Sequence, residues 1–216
     1  MAMQTKTDLQ VFPSLDKTIQ RLISGFDQIT PGRKKLLKGL TEFIQDKVSG
    51  GHKVYLTFIC THNSRRSHLA QLWAQAAAYY YKIPGVESFS GGTEATAFNP
   101  NAVAAMQTVG FEITVSRAAD NPIYEVRYSR NAPPVIAFSK KYDDPFNHNK
   151  DFAAIMTCSH ADENCPFVAG ASVRIALPYD DPKAFDGTPL EAEKYSERAD
   201  EIGREILFTF FQVKNL

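Results

Sequence analysis

The stretch Val54-Tyr55-Leu56-Thr57-Phe58-Ile59-Cys60-Thr61-His62-Asn63-Ser64-Arg65-Arg66-Ser67 decides the fold. Its first half is nearly all apolar or β-branched, which is typical of a central parallel strand covered on both faces. A Gly- and Pro-free stretch from Ser67 to Tyr81 follows, with apolar residues at helical spacing on one side. The order of strand, loop and helix predicts the opening of a βαβ unit.

The loop from Cys60 to Ser67 has the residue types of an oxyanion site. Backbone N–H groups at the start of a helix can converge on one anion. Arg66 offers a planar fork of donors that matches two oxygens of a tetrahedral anion. The helix terminus, the Arg66 charge and a hydrogen bond from Ser67 would favour thiolate at Cys60, and thiolate is the attacking species. We predict Cys60 as the nucleophile of a phosphate or arsenate site, with substrate-binding groups at Thr61, His62, Asn63, Ser64, Arg65, Arg66 and Ser67.

A plainer interpretation makes Cys60 a small buried hydrophobe and places the neighbouring arginines on the surface. Two further features favour catalysis. Cys158 ends the predicted strand from Phe152 to Thr157, and Asp181-Pro182 follows the predicted strand from Val173 to Leu177. Ligands bind at the carboxyl edge of open parallel sheets, so these residues are expected together. Asp181 is a candidate general acid, although Asp before Pro also forms ordinary turns.

The remaining pattern predicts an α/β fold with a four-stranded, mostly parallel sheet flanked by helices. Val86 to Ser90 is the further strand of this sheet. Asn99-Pro100 and Thr188-Pro189-Leu190-Glu191 are predicted helix starts, and Gly110 ends the first of these helices. Between Ala118 and Asp151 two short apolar runs, 123–128 and 135–138, suggest a hairpin.

Gly50-Gly51 separates a predicted N-terminal helical extension, residues 1–51, from a catalytic domain, residues 52–216. Apolar residues recur at helical spacing twice before this break. The second of these helices begins well, since Thr30 can cap the free N–H groups and Pro31 lacks an N–H that would need a partner.

Composition excludes some classes of protein. Lys plus Arg number 24 and Asp plus Glu number 24, so no overall field favours nucleic acid or an anionic membrane. No apolar signal core is seen at the N-terminus, and no stretch approaches the roughly 18 apolar residues of a membrane span. Three scattered cysteines suit reactive thiols in a reducing compartment, which predicts a cytoplasmic protein. No His-rich metal spacing is present, so no metal is expected.

The sequence resembles the low-molecular-weight phosphotyrosine protein phosphatase superfamily, and within it the thioredoxin-coupled arsenate reductases. The resemblance covers about residues 53–213. It rests on four segments, which are 60–67, Ser90-Gly91-Gly92-Thr93, Cys158-Ser159-His160-Ala161-Asp162-Glu163-Asn164-Cys165-Pro166 and Asp180-Asp181-Pro182. The third is the most specific, because simple phosphatases of the superfamily lack this cysteine pair.

The resemblance implies a three-layer fold of the low-molecular-weight phosphatase type and a cysteine relay. Cys60 would attack arsenate, Cys158 would release arsenite, and Cys165 would form the final disulfide with Cys158. An external thiol reductant such as thioredoxin would close the cycle, and no resident cofactor is implied. His62 stands where the family usually has Gly, and Arg65 where it usually has Cys.

Two alternatives to arsenate reduction stay open at this point. One is a phosphomonoesterase of the tyrosine phosphatase type that uses only Cys60, Arg66 and Asp181, with the other cysteines protecting the nucleophile. Tyrosine phosphatases of this fold commonly have an aromatic pair where this chain has Lys183 and Ala184. This difference weakens the case for phosphotyrosine as the substrate. The other is a non-catalytic oxyanion binder whose loop is altered by His62.

Overall fold

A computed structural model describes residues 10–164 and 167–213 of the chain. Residues 1–9, on which the expected lack of a signal segment partly rests, lie outside the described residues. So does Cys165.

Helices and strands alternate along most of the chain. The α-helices are α1 Pro13–Ile23, α2 Pro31–Ser49, α3 Arg66–Tyr80, α4 Pro100–Thr108, α5 Ser159–Asn164 and α6 Glu191–Phe211. The strands are β1 Val54–Cys60, β2 Val86–Gly92, β3 Glu112–Arg117, β4 Ile123–Arg127, β5 Val135–Ala137, β6 Phe152–Met156 and β7 Ala171–Ala176. Short 3₁₀ helices cover Phe26–Gln28 and Pro182–Phe185.

The central sheet has four strands in the order β2-β1-β6-β7, and every neighbouring pair is parallel. The predicted α/β fold is therefore confirmed, with a sheet that is wholly rather than mostly parallel. In register, Cys60 lies opposite Gly92 on β2, and Ile59 lies opposite Met156 on β6. All residues of β6 and six of the seven in β1 are buried, as expected for central strands covered on both faces.

The two N-terminal helices contribute to the main hydrophobic core. Leu15, Ile19 and Leu22 of α1 are buried in the same cluster as Trp73 of α3 and the apolar face of α6. Arg33 of α2 forms a bidentate ion pair with buried Glu205 of α6, at 2.7 and 2.8 Å. The predicted N-terminal helices are thus present, while their division from residues 52–216 as a unit stays a prediction.

A second, antiparallel sheet has the order β3-β4-β5. The pairing of β4 with β5 confirms the hairpin predicted between residues 118 and 151. The third strand, β3, was not predicted. Its residues alternate in polarity from Glu112 to Ser116, as in a half-buried strand. Five of the six residues are nevertheless exposed, and only Ile113 is buried.

Two predicted helix starts are confirmed in detail. The Thr30 hydroxyl accepts a hydrogen bond from the Arg33 amide, and the Asn99 side chain accepts from the amides of residues 101 and 102. Gly110, which follows the helix that Asn99 caps, has a φ of +112°, a conformation that disfavours a side chain.

The predicted start of the last helix at Thr188 was wrong, because α6 begins at Glu191. The Thr188 hydroxyl donates to the Phe185 carbonyl at 2.7 Å and accepts from the Leu190 amide at 3.3 Å, so it lies in the turn that leads into α6. Glu191 does reach back with its carboxylate, but it accepts from the Gly187 amide at 2.7 Å. The Thr188-Pro189-Leu190-Glu191 pattern, which is typical of a capping box, therefore lies in a turn before α6.

None of the helices in the described part of the chain is both long and apolar enough to cross a membrane.

Two glycine-to-alanine substitutions should have opposite effects on stability. A Cβ on Gly203 of α6 would lie 2.5 Å from the Trp73 ring, whereas one on Gly39 of α2 meets nothing within 4 Å. We expect Gly203→Ala to lower the free energy of unfolding by about 1–3 kcal/mol through overpacking. Gly39→Ala should raise it by about 0.5–1 kcal/mol, because Ala loses less backbone entropy in a helix. Urea unfolding of both variants checks this, and equal effects would contradict the packing described here.

Candidate active site

Cys60 is the last residue of β1, and the loop after it leads into α3. Its side chain is buried, and the sulfur lies 3.1 Å from the Ser67 hydroxyl in the first turn of α3. A hydroxyl that donates to sulfur stabilises the thiolate over the thiol. The sequence-predicted contact between Cys60 and Ser67 is therefore present.

The loop backbone is oriented with its carbonyl groups outward. The Cys60 and Thr61 carbonyls accept from the amides of residues 93 and 94, at 3.2 and 2.8 Å. The His62 carbonyl accepts from the Ser139 hydroxyl at 3.0 Å, and the Ser64 carbonyl from the amide of residue 99 at 2.9 Å. Within the described residues, the N–H groups of residues 61–66 donate to no acceptor. This orientation leaves a row of donors suited to an anion.

Asn63 fixes the shape of the loop. It is fully buried with a φ of +44°, a left-handed conformation that Asn tolerates better than most residues. Its amide nitrogen donates to the Ser67 hydroxyl at 2.9 Å, and its amide oxygen accepts from the Lys140 backbone N–H at 2.9 Å. The Asn63 side chain thus links the loop to both α3 and the chain segment that contains Lys140.

Gly92 allows the loop to approach β2. A Cβ at this position would lie 2.7 Å from the Asn63 nitrogen and 2.7 Å from the Thr61 carbonyl oxygen. In the Ser90-Gly91-Gly92-Thr93 segment, Gly92 therefore lets the loop backbone pack closely, because it has no side chain.

Arg66, the first residue of α3, lies between the loop and the chain after β7. Its Nη atoms donate to the Tyr179 carbonyl at 2.9 Å and to the Asp181 carboxylate at 2.6 Å. Its Nε is buried and has no partner among the described residues. Since a buried donor without a partner is costly, this atom is a candidate contact for an oxyanion.

Asp181 lies beside the loop, as predicted, while its neighbour Asp180 does not. One Asp181 oxygen accepts from Arg66 and the other from the Lys183 amide at 3.1 Å. The Asp180 side chain is 98% exposed and faces Arg198. Within the Asp180-Asp181 pair, the geometry therefore favours Asp181 as the acid.

Cys158 follows β6 and lies against the loop. Its side chain is buried, and its sulfur is 3.5 Å from the Thr61 hydroxyl and accepts from the Ala161 amide at 3.3 Å. Cys60 and Cys158 belong to one small buried cluster. The structure thus brings two of the three cysteines together, while Cys165 lies outside the described residues.

His62 and Arg65, the two loop positions that depart from the usual family pattern, differ in their exposure to solvent. The His62 ring is 45% exposed and lies 3.6 Å from the Glu94 carboxylate. The Arg65 side chain is only 11% exposed and binds Asp186 and Tyr195. Arg65 is therefore not a surface residue, in contrast to the plainer interpretation of the sequence. The substrate-binding roles of residues 61–67 stay predictions.

Comparison with known proteins bears on this arrangement. No family model matches the chain. An arsenate reductase of Bacillus licheniformis is 32% identical over 157 residues, which cover 71% of this chain and 93% of the relative. The chain belongs to the arsenate reductase family. An arsenate reductase of Brevibacillus brevis is 31% identical over 157 residues, 72% of this chain and 92% of its own.

The fold of this arsenate reductase family member agrees with a solved structure. An arsenate reductase in the phosphate binding state covers 74% of this chain and 99% of its own, with a TM-score of 0.50 and 18% identity. The predicted relationship to arsenate reductases is confirmed, and so is the prediction of an enzyme of this group.

Sequence reasoning missed a buried polar layer beneath the loop. Lys140 is 2% exposed, and its ammonium group donates to the Phe138 carbonyl at 3.3 Å and lies 4.5 Å from the Phe138 ring centroid. Burial lowers the pKa of Lys140 to about 8, against a raising effect of Asp144. Burial and the Lys140 charge lower the pKa of fully buried His68 well below its usual value. The Lys140-Lys141 pair carries no sequence signal for burial, since lysine is mostly exposed.

The low pKa of Lys140 should appear in the pH dependence of stability. Between about pH 8 and 10.5 the unfolded chain holds a proton that the folded chain has released, so the contribution of Lys140 to stability rises with pH. Relative to Lys140→Met, the free energy of unfolding of the wild type should rise by about 2 kcal/mol from pH 8 to 10. Urea unfolding across this range checks it, with exposed Lys141→Met as the matched control. A difference between wild type and Lys140→Met that does not change with pH would contradict the burial of this amine.

Proposed function

We propose that this chain reduces arsenate to arsenite by a relay of Cys60, Cys158 and Cys165. The observation that carries the proposal is the second thiol beside the loop, with the Cys158 sulfur 3.5 Å from the Thr61 hydroxyl. A hydrolase needs one nucleophile at such a loop, whereas reduction needs two electrons, which a pair of thiols supplies. The substrate named for the family's relatives is the same oxyanion.

In the first step, arsenate binds to the loop N–H groups and to the free Arg66 Nε. The Cys60 thiolate attacks arsenic, and one As–O bond breaks as its oxygen leaves with a proton from Asp181 as water. The Ser67 hydroxyl, 3.1 Å from the Cys60 sulfur, stabilises the thiolate before attack. The product of this step is a covalent Cys60–arsenate adduct.

In the second step, the Cys158 thiolate attacks the Cys60 sulfur. An S–S bond forms, the S–As bond breaks, and its electron pair stays on arsenic, which leaves as arsenite. Arsenic is thereby reduced by two electrons while two thiols are oxidised to a disulfide. Because both sulfurs belong to one buried cluster, water is kept from competing at this stage.

In the third step, the Cys165 thiolate attacks the Cys158 sulfur and releases Cys60 as thiolate. The resulting Cys158–Cys165 disulfide is reduced by an external dithiol protein such as thioredoxin. The placement of Cys165 rests on sequence, because it lies outside the described residues. A relay of this kind uses no resident cofactor and fits a reducing compartment such as the cytoplasm.

Phosphate-ester hydrolysis is the second candidate function. It is favoured by the position of Asp181, which lies 2.6 Å from Arg66 beside the loop and does not depend on Cys158. On this hypothesis Cys60 forms a phosphoenzyme that water hydrolyses. The substrate is then a phosphorylated compound rather than a free oxyanion.

Substitution of the cysteines separates the two functions. With arsenate, thioredoxin and a recycling system, Cys60→Ser, Cys158→Ser and Cys165→Ser should each lower the rate of arsenite release about a thousandfold or more, since each removes a step. Hydrolysis of p-nitrophenyl phosphate should need Cys60 alone. Ser159→Ala, at an exposed neighbour of Cys158, is the matched control and should keep the wild-type rate.

Two results would overturn the reductase proposal. One is arsenite release that persists in Cys158→Ser. The other is a wild type that releases no arsenite but hydrolyses p-nitrophenyl phosphate through Cys60, which would establish the phosphomonoesterase instead.

A further inference from the structure

Two consecutive arginines of the loop hold the two ends of one short helix. Arg66 binds Asp181, which precedes the 3₁₀ helix Pro182–Phe185, at 2.6 Å. Arg65 binds Asp186, which follows the same helix, at 3.1 Å. The segment that carries the candidate acid is therefore fixed to the loop at two points.

The Arg65 end of this attachment is a closed ring of three side chains. The Arg65 Nε donates to the Tyr195 hydroxyl at 2.6 Å, and that hydroxyl donates to Asp186 at 2.8 Å. Tyr195 is almost fully buried in α6, and burial is the main cause that raises its pKa to about 12. The phenol thus stays protonated and keeps its donor at neutral pH. A planar guanidinium can bind both partners at once, which an ammonium group does less well.

A bound oxyanion should affect the Arg66–Asp181 pair and the Arg65–Asp186 pair differently. An anion that binds Arg66 through two oxygens takes the free Nε and the Nη beside it, and it competes with the Asp181 carboxylate for that Nη. The Arg65 donors, in contrast, are directed at Asp186 and Tyr195, and the Arg65 Nε lies 4.0 Å from Asp181.

We propose that Arg65 is a positioning residue, the anchor that keeps the Asp181 segment beside the loop once an oxyanion has taken Arg66. This inference rests on the proposed function only in that an oxyanion binds the loop. It assigns Arg65 a role in holding the acid, in place of direct contact with substrate.

The proposal makes the effect of losing Arg65 depend on the anion. Without an anion, the pair of Arg66 and Asp181 still holds the segment in Arg65→Ala. With an anion bound, neither end is held by an arginine and only the hydrogen bond from Tyr195 to Asp186 remains, so the segment should open more often. A residue with a general structural role would instead loosen the segment in both states.

Hydrogen exchange with and without saturating inorganic phosphate tests this. We expect amides of residues 183–188 in Arg65→Ala to exchange as in wild type without phosphate, and about tenfold faster than wild type with phosphate. Asp186→Asn, which keeps the size of the side chain, should show the same phosphate-dependent pattern. Arg65→Lys should show a smaller one.

Arg21→Ala is the matched control. Arg21 forms a bidentate pair with Asp200 of α6, at 2.7 and 2.9 Å, away from the loop. This variant also removes an arginine that binds α6, and amide exchange of residues 183–188 should match wild type in both conditions.

Faster exchange in Arg65→Ala to the same degree in both conditions would overturn the proposal, as would unchanged exchange in both. Calorimetry of the wild type with phosphate separates these failures from a failure of the proposed function. Absence of phosphate binding there would refute both the oxyanion site and the anchoring role of Arg65. Phosphate binding without the phosphate-dependent exchange would refute the anchoring role alone.

Discussion

The parallel pairing of β1 with β2 on one side and β6 on the other is the constraint on which the site depends. Strands in a parallel sheet end at the same edge, so the residues after β1 and β6 must meet. The register places Ile59 opposite Met156, and the chain then continues into the Cys60 loop and to Cys158. Cys60 and Cys158 are nearly a hundred residues apart in sequence, and the backbone hydrogen bonds between β1 and β6 bring them to the same edge of the sheet.

Around that edge, the loop holds its shape through polar groups that are buried and paired. Its carbonyl groups accept from neighbouring segments, and Asn63 binds both Ser67 and the Lys140 backbone. Such a network costs little when every member is satisfied and fixes a single geometry. The fixed backbone leaves N–H groups and the Arg66 Nε for a ligand, which is preorganisation of the kind that oxyanion chemistry requires.

Strong local patterns in the sequence predicted the sheet and the loop. The apolar run of β1, the loop from Cys60 to Ser67, and the caps at Thr30 and Asn99 each depend on residues close in the chain. Features set by tertiary contact were not predictable. Lys140 is buried against the ordinary preference of lysine, and α6 begins three residues after Thr188, whose hydroxyl donates back to the Phe185 carbonyl. The partners of Arg65 come from more than a hundred residues away.

If the relay operates, Cys60 and Cys158 form a disulfide as arsenic is reduced. A single turnover of Cys165→Ser, with one equivalent of arsenate and no reductant, can be analysed for this disulfide by non-reducing peptide mapping. We expect one Cys60–Cys158 disulfide and one arsenite per chain. A chain in which both thiols stay free after exposure to arsenate, while Cys60 still hydrolyses p-nitrophenyl phosphate, would contradict it.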